Sequence, residues 1–247
     1  MTDIASLMKI YSRRCFACLF FSLVVTMVAA PAFRAIGLNT RPLEVVLALN
    51  MLAAVLVTLF RFGTWVALGL LALLVVPRIG YTLLGYPPLL ATSQGVGALI
   101  CLVSVGVMFG YLLREGTVTS ERIYAALNAY LLIGIMCGLL FCILEEHWPG
   151  SLSLQGAPLA RSGESPLWDT IYFSFVTLGT LGYGDIVPVY GPARALAMAE
   201  AMFGQMYLVV IVARLVSLYK GQADRKDLGA RDDAAGEDKT GSQPSRE

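Results

Sequence analysis

From Cys15 to Ala32 this chain carries no charged residue, and uncharged runs of similar length recur from Thr92 to Leu113 and from Ile123 to Leu144. No other feature restricts the fold so tightly. Hydrocarbon offers no partner for a backbone N–H or C=O, so a buried run must satisfy those groups within itself, and about 20 residues of α-helix are enough to cross. The composition agrees: 57% of residues are hydrophobic and 14% charged, against roughly 25% charged in soluble domains. The sequence therefore predicts an all-α membrane protein. A net charge of +1 gives no reason to expect a nucleic-acid partner. The five cysteines lie inside apolar runs without a spacing pattern, which argues against a disulfide framework.

In chain order, residues 1–14 form a basic N-terminus with Lys9, Arg13 and Arg14, and Cys15 to Ala32 is the first span. A cleaved signal peptide is the competing reading, since Val28-Ala29-Ala30 resembles a cleavage site; the length of the run favours a retained helix. Leu43 to Phe60 is the second span. The third runs from Thr64 to about Leu84 and should kink at Pro77. Thr92 to Leu113 is the fourth. Together residues 15–115 read as a four-helix membrane domain, and none of its helices carries basic residues at three-residue spacing. Ile123 to Leu144 is the fifth span, and Glu145-Glu146-His147 reads as its solvated end. A Gly-, Ser- and Pro-rich loop follows from Pro149 to Gly163.

Ser165-Pro166-Leu167-Trp168-Asp169 has the order of a helix start, with Ser165 as cap, Pro166 in the first turn and Asp169 close behind. The helix it opens, to about Leu178, is too short to cross. Val189 to Tyr219 is the sixth span, with Pro192 in its first turn. Residues 220–247 are charged and poor in apolar side chains, so disorder is expected there. Lys9, Arg13, Arg14, Arg61, Arg114 and Arg122 fall on one side of this layout with the tail, against Arg34, Arg41 and Arg78 on the other. The bias puts both termini in the cytoplasm of a multi-pass cell-membrane protein.

Between the short helix and the sixth span lies Thr177-Leu178-Gly179-Thr180-Leu181-Gly182-Tyr183-Gly184-Asp185. This run resembles the pore signature of the potassium channel family, over about residues 123–219, in the two-helix-plus-pore-loop form. The resemblance implies a pore domain at 120–219, with a re-entrant pore helix and selectivity filter between helices 5 and 6. It implies that the backbone carbonyls of Thr180, Leu181, Gly182 and Tyr183, with the Thr180 hydroxyl, replace the hydration shell of a potassium ion. Glycine at 182 and 184 suits a backbone that must adopt conformations a Cβ disfavours. Thr177 and Gly184 would support the filter, Asp185 would stand at the outer mouth, and Tyr172 and Phe173 would help form an aromatic cuff around Tyr183. Gly179 stands where the family commonly has Thr, and Leu181 where Val is most frequent.

Two further residues belong to the same argument. Glu200 is a carboxylate within a membrane helix, which marks either an ion cavity or a polar partner behind the pore helix. Gly204, one turn on, is either a gating hinge or a close-packing site. The expected function is passive, potassium-selective conduction by a homotetramer in the lipid bilayer, weakly or not voltage-gated, with no enzyme activity and no cofactor beyond the permeant ion. A non-selective cation channel of the same architecture and a non-conducting membrane scaffold or sensor are the alternatives.

Overall fold

A computed structural model describes residues 2–37, 41–59, 69, 73, 76–77, 80, 87–114, 119–159 and 165–240. The apolar segment expected over 64–84 therefore lies outside the described residues, apart from isolated helical positions. The helices are α1 (Thr2–Ala35), α2 (Arg41–Leu59), α3 (Pro87–Leu113), α4 (Ser120–His147), α5 (Leu167–Leu178) and α6 (Gly191–Thr240). Among the described residues, four helices are long and apolar enough to cross a membrane, over Phe16–Phe33, Ala91–Leu113, Ser120–His147 and Gly191–Ser217. The described apolar stretch of α2, Leu43–Ala54, is shorter.

Helix α4 is the hub. It packs on α1 and α3 on one side and on α5 and α6 on the other. Its interior face is apolar and fully buried at Leu132, Ile135 and Phe141. Two amides among the helices cross-link them: Asn128 Nδ2 donates to Phe16 O at 2.7 Å, and Asn50 Nδ2 of α2 donates to Thr26 Oγ1 of α1 at 2.9 Å. An amide in hydrocarbon has no water to fall back on, so such bonds fix which helix faces which.

On its other side α4 approaches α5 through two glycines one turn apart. A Cβ at Gly134 would lie 2.6 Å from Phe175 Cζ, and one at Gly138 would lie 2.8 Å from Ile171 Cα. At Gly138 only hydrogen fits, because the obstacle is backbone; at Gly134 the tip of the Phe175 ring would have to turn aside. Numbers rise along α4 as they fall along α5, so these helices run antiparallel. For α5 and α6 the pairs are Ser174 with Glu200 and Gly204 with Leu178, which rise together, so those two run parallel. At 1.5 Å per residue, residue 191 then lies roughly 13 Å behind Glu200, near the level at which α5 begins. Residues 179–190 must therefore carry the chain back along the whole of α5.

Three expectations need correction. The fold is not wholly helical: β1 (Leu152–Leu154), β2 (Ala157–Pro158) and β3 (Ile186–Pro188) form an antiparallel sheet in the order β2-β1-β3. Gln155 and Gly156, both at positive φ, make the tight turn between β1 and β2. Leu154 pairs with Ile186 and Leu152 with Pro188, so the loop after α4 holds the chain leaving the 177–185 run. The second correction is Glu145, which is not at a solvated end but fully buried. It accepts from Gly150 N at 2.9 Å, Ser151 Oγ at 2.8 Å and Leu152 N at 2.8 Å. The third concerns residues 220–240, which continue α6 as helix. A charged, Ala-rich segment has little to pack with, but it adds turns to an existing helix without a new nucleation cost, and the sequence places no proline between Pro192 and Pro244.

Candidate functional site

Helix α5 has 12 residues and spans about 18 Å, well short of the ~30 Å hydrocarbon core. Its N-cap is Pro166 rather than Ser165, whose hydroxyl finds no partner among the described residues. Asp169 lies in the first turn, as expected, where its charge suits the helix dipole. Its buried face includes Trp168, Ile171, Ser174 and Leu178. The helix ends where Gly179 N donates to Phe175 O at 2.9 Å.

Beyond Gly179 the backbone alternates. Thr180 has φ +54°, Gly182 +58° and Gly184 +77°, while Leu181 and Tyr183 between them do not enter the positive region. Alternation of this kind rotates successive peptide planes, so that like polar groups can share one side instead of alternating as they do along a strand. Glycine explains 182 and 184, but Thr180 is a surprise, because a Cβ in this region costs about 1–2 kcal/mol. Several bonds hold it there. Thr180 N donates to Thr177 O at 3.0 Å, Leu181 N donates to Val176 O at 2.9 Å, and Gln205 Nε2 of α6 reaches Thr180 Oγ1 at 3.3 Å. The whole stretch from Gly179 to Gly184 is exposed on the single chain, with Leu181 at 59% and Tyr183 at 67%.

The run is fixed at its far end by Asp185. Its Oδ2 accepts from the Tyr172 hydroxyl at 2.8 Å, its Oδ1 accepts from Ile186 N, and its carbonyl accepts from Gln155 N at 3.0 Å. The bond to Asp185 pushes the Tyr172 phenol up to about 12. These contacts amend the aromatic cuff: Tyr172 turns to Asp185, and Phe173 is buried edge-on to Phe141 of α4, with ring centroids 4.9 Å apart.

The two α6 candidates both face α5. Glu200 is buried and in hydrogen-bonding contact with Ser174 Oγ, so it lies behind the short helix and not on the exposed run. Gly204 faces the last residue of α5: a Cβ there would lie 2.7 Å from Leu178 O and 2.8 Å from Leu178 Cδ1. The helix passes through Gly204 without a break, so close packing explains the glycine. Tyr130 of α4 reaches the same carbonyl, Leu178 O, at 3.3 Å, and stacks obliquely on Tyr207, whose hydroxyl donates to Ala126 O at 2.6 Å.

Sequence reasoning overlooked four of these residues. Gly134 and Gly138 carried a usable signal, since glycines four apart in an apolar helix mark a packing face. Ser174 and Gln205 carried none, because each gains its role from a partner 26 or 25 residues away.

A family profile described as "Ion channel" matches residues 131–220, which include the second half of α4, α5, the alternating run and the apolar part of α6. Protein LctB of Bacillus caldotenax is 29% identical over 96 residues, 39% of this chain and 71% of that protein. Protein LctB of Geobacillus stearothermophilus is 36% identical over 78 residues, 32% of this chain and 58% of that protein. Two-pore potassium channel 1 of Arabidopsis thaliana is 32% identical over 97 residues, 39% of this chain but only 22% of the plant protein. The profile and the plant channel bear out the resemblance carried by residues 177–185: residues 131–220 are an ion-channel domain related to the pore units of the potassium channel family.

Proposed function

We propose that this chain is one subunit of a homotetrameric, potassium-selective channel with six spans, both termini in the cytoplasm, and a filter that re-enters the membrane between the fifth and sixth. The carbonyls of Thr180, Leu181, Gly182 and Tyr183 from four copies surround the ion, with the Thr180 hydroxyl at the inner end. Asp185 at the outer mouth attracts cations. The conduction is passive and needs no covalent chemistry.

One observation carries the reading: φ alternates in sign over Thr180 to Gly184, in an uncharged stretch that the single chain leaves exposed. Glycine enters the left-handed region at no steric cost, but Thr180 does so against about 1–2 kcal/mol, and a strained position of this kind points to use. Replacing water around a cation requires oxygens from several directions at once, and one chain can supply only one side. The exposed apolar face of α6, with Met198, Met202, Phe203, Met206 and Val209, suits burial against other copies or lipid. In this arrangement the C-terminal end of α5 points its partial negative charge at the space beneath the filter, which favours a cation there.

Gly179 favours a second reading, a non-selective cation channel. A Cβ at this position would lie 3.0 Å from Phe175 O, so the threonine commonly found here in the family does not fit without a shift. The filter accordingly lacks one hydroxyl behind it. Rubidium flux into liposomes holding the purified protein tests conduction, and reversal potentials in mixed potassium and sodium separate the two readings. Gly182→Ala forces a Cβ into the left-handed region and should abolish flux. Flux that persists unchanged in Gly182→Ala would leave a membrane scaffold or sensor as the better account.

A further inference from the structure

Three helices meet at one hydroxyl. Ser174 Oγ of α5 lies 2.6 Å from Gly134 O of α4 and in hydrogen-bonding contact with Glu200 Oε1 of α6, and all three residues are buried. A serine hydroxyl brings one proton, and a peptide carbonyl brings none. Two oxygens thus compete for a single hydrogen. If Glu200 were ionised, one of the two contacts would set oxygen against oxygen with nothing between them. The conflict disappears when the carboxyl is protonated, because Glu200 then donates to Ser174 Oγ and Ser174 donates to Gly134 O.

The surroundings favour the same state. Glu200 Oε2 is buried without a hydrogen bond of ordinary geometry, and beside the carboxyl the Cys137 thiol of α4 offers a weak donor. The titratable groups that face Glu200 come from α4 and are Cys137 and Tyr130; α5 contributes the neutral Ser174; no lysine or arginine among the described residues acts on it. A bare carboxylate there, among membrane helices and without a cation, is costly, whereas a carboxylic acid is a usable donor.

We propose that Glu200 is held as a neutral acid, and that the proton relay from Glu200 through Ser174 to Gly134 is a latch that fixes the inner helix to the back of the pore helix. Loss of the proton opens the latch. An ionised Glu200 would draw the Ser174 hydrogen to itself, leaving Ser174 Oγ against Gly134 O with nothing between them. A bare charge among membrane helices must also draw in water, so the three-helix junction would loosen. The contact between Gly204 and Leu178, one turn further along, would loosen with it, at the point where the chain enters the alternating run. Alkaline pH should therefore reduce conduction. This inference rests on the channel reading for its effect on flux, but not for the protonation itself.

Infrared difference spectra of the purified full-length protein, wild type minus Glu200→Gln, test the proton directly. The carbonyl stretch of a protonated carboxylic acid should be present at neutral pH and convert to carboxylate bands as pH is raised. In Ser174→Ala the band should move to higher frequency without vanishing, because a hydrogen bond to the acid is lost. A wild-type spectrum at neutral pH that lacks the band overturns the proposal, whether or not the protein conducts. In liposomes, Glu200→Gln should keep flux and lose its dependence on pH, since the amide still donates to Ser174. A Glu200→Gln channel that follows the wild-type pH profile would also overturn it. Wild-type protein with no flux at any pH would overturn the channel reading, and the infrared band would then judge the proton alone.

Discussion

A carboxylate at the end of a membrane helix must find donors, and Glu145 finds three in the chain that follows it. Gly150 N, Ser151 Oγ and Leu152 N all point at its two oxygens, which fixes where β1 starts. Glu145→Gln keeps the shape but turns an acceptor into an NH2 that faces donors. Leaving such buried groups unpaired costs roughly 1–3 kcal/mol. The unfolding midpoint in denaturant should fall accordingly, and an unchanged midpoint would mean that the cap adds nothing. Gly204 makes the opposite kind of case, where a side chain must be absent. Gly204→Ala should destabilise the protein by about 1–3 kcal/mol through overpacking against Leu178. A true hinge would tolerate alanine better than this, so full stability in Gly204→Ala would revive the hinge. At this scale the sequence was legible where chemistry is local. Gly182 and Gly184 announced their positive φ, because only backbone conformation explains glycine there. Glu145 and Thr180 did not, since their roles depend on which groups the fold brings to them.

The elements were legible in proportion to their length and uniformity. Uncharged runs gave α1, α3 and α4, and the short α5 was bounded correctly at Leu178 because Gly179 ends it. Its start was misread by one residue: Pro166, not Ser165, holds the cap position. The β-sheet was missed because strands of two or three residues are too short to show alternation. Helix α6 runs on to Thr240, past the point where its polarity predicts disorder. Polarity says only that a segment lacks a core to join; alanine, lysine, arginine and glutamate remain good helix formers. Truncation after Lys220 tests this. Far-UV circular dichroism should lose the signal of about 20 helical residues, those from 221 to 240. An unchanged helical signal would return the tail to disorder.

For the whole molecule, what matters is how the first helices act on the pore domain. Helix α3 packs along α4, and Arg214 Nη2, near the end of the apolar part of α6, donates to Leu113 O at 3.2 Å, capping the last turn of α3. Helices α1 and α3 thus pack on α4, and α3 is tied to α6 by one hydrogen bond, so a movement of theirs would be felt in the ion-channel domain. The sequence predicts that membrane voltage supplies little of that movement. A sensor works by carrying charge through the field, at about 2.3 kcal/mol per charge per 100 mV, so three charges would give about 7 kcal/mol. Helix α3 has no arginine or lysine from Pro87 to Leu113, and Arg122 is already engaged, stacked over the Tyr111 ring at 5.6 Å. A whole channel whose four copies together move less than one charge should change its open probability by less than about fiftyfold over 100 mV, the factor that 2.3 kcal/mol represents. Planar-bilayer recording across a voltage range measures this directly. Steep activation would require charges to cross the field from some other element, and would show that α1 to α3 are more than a clamp on the pore.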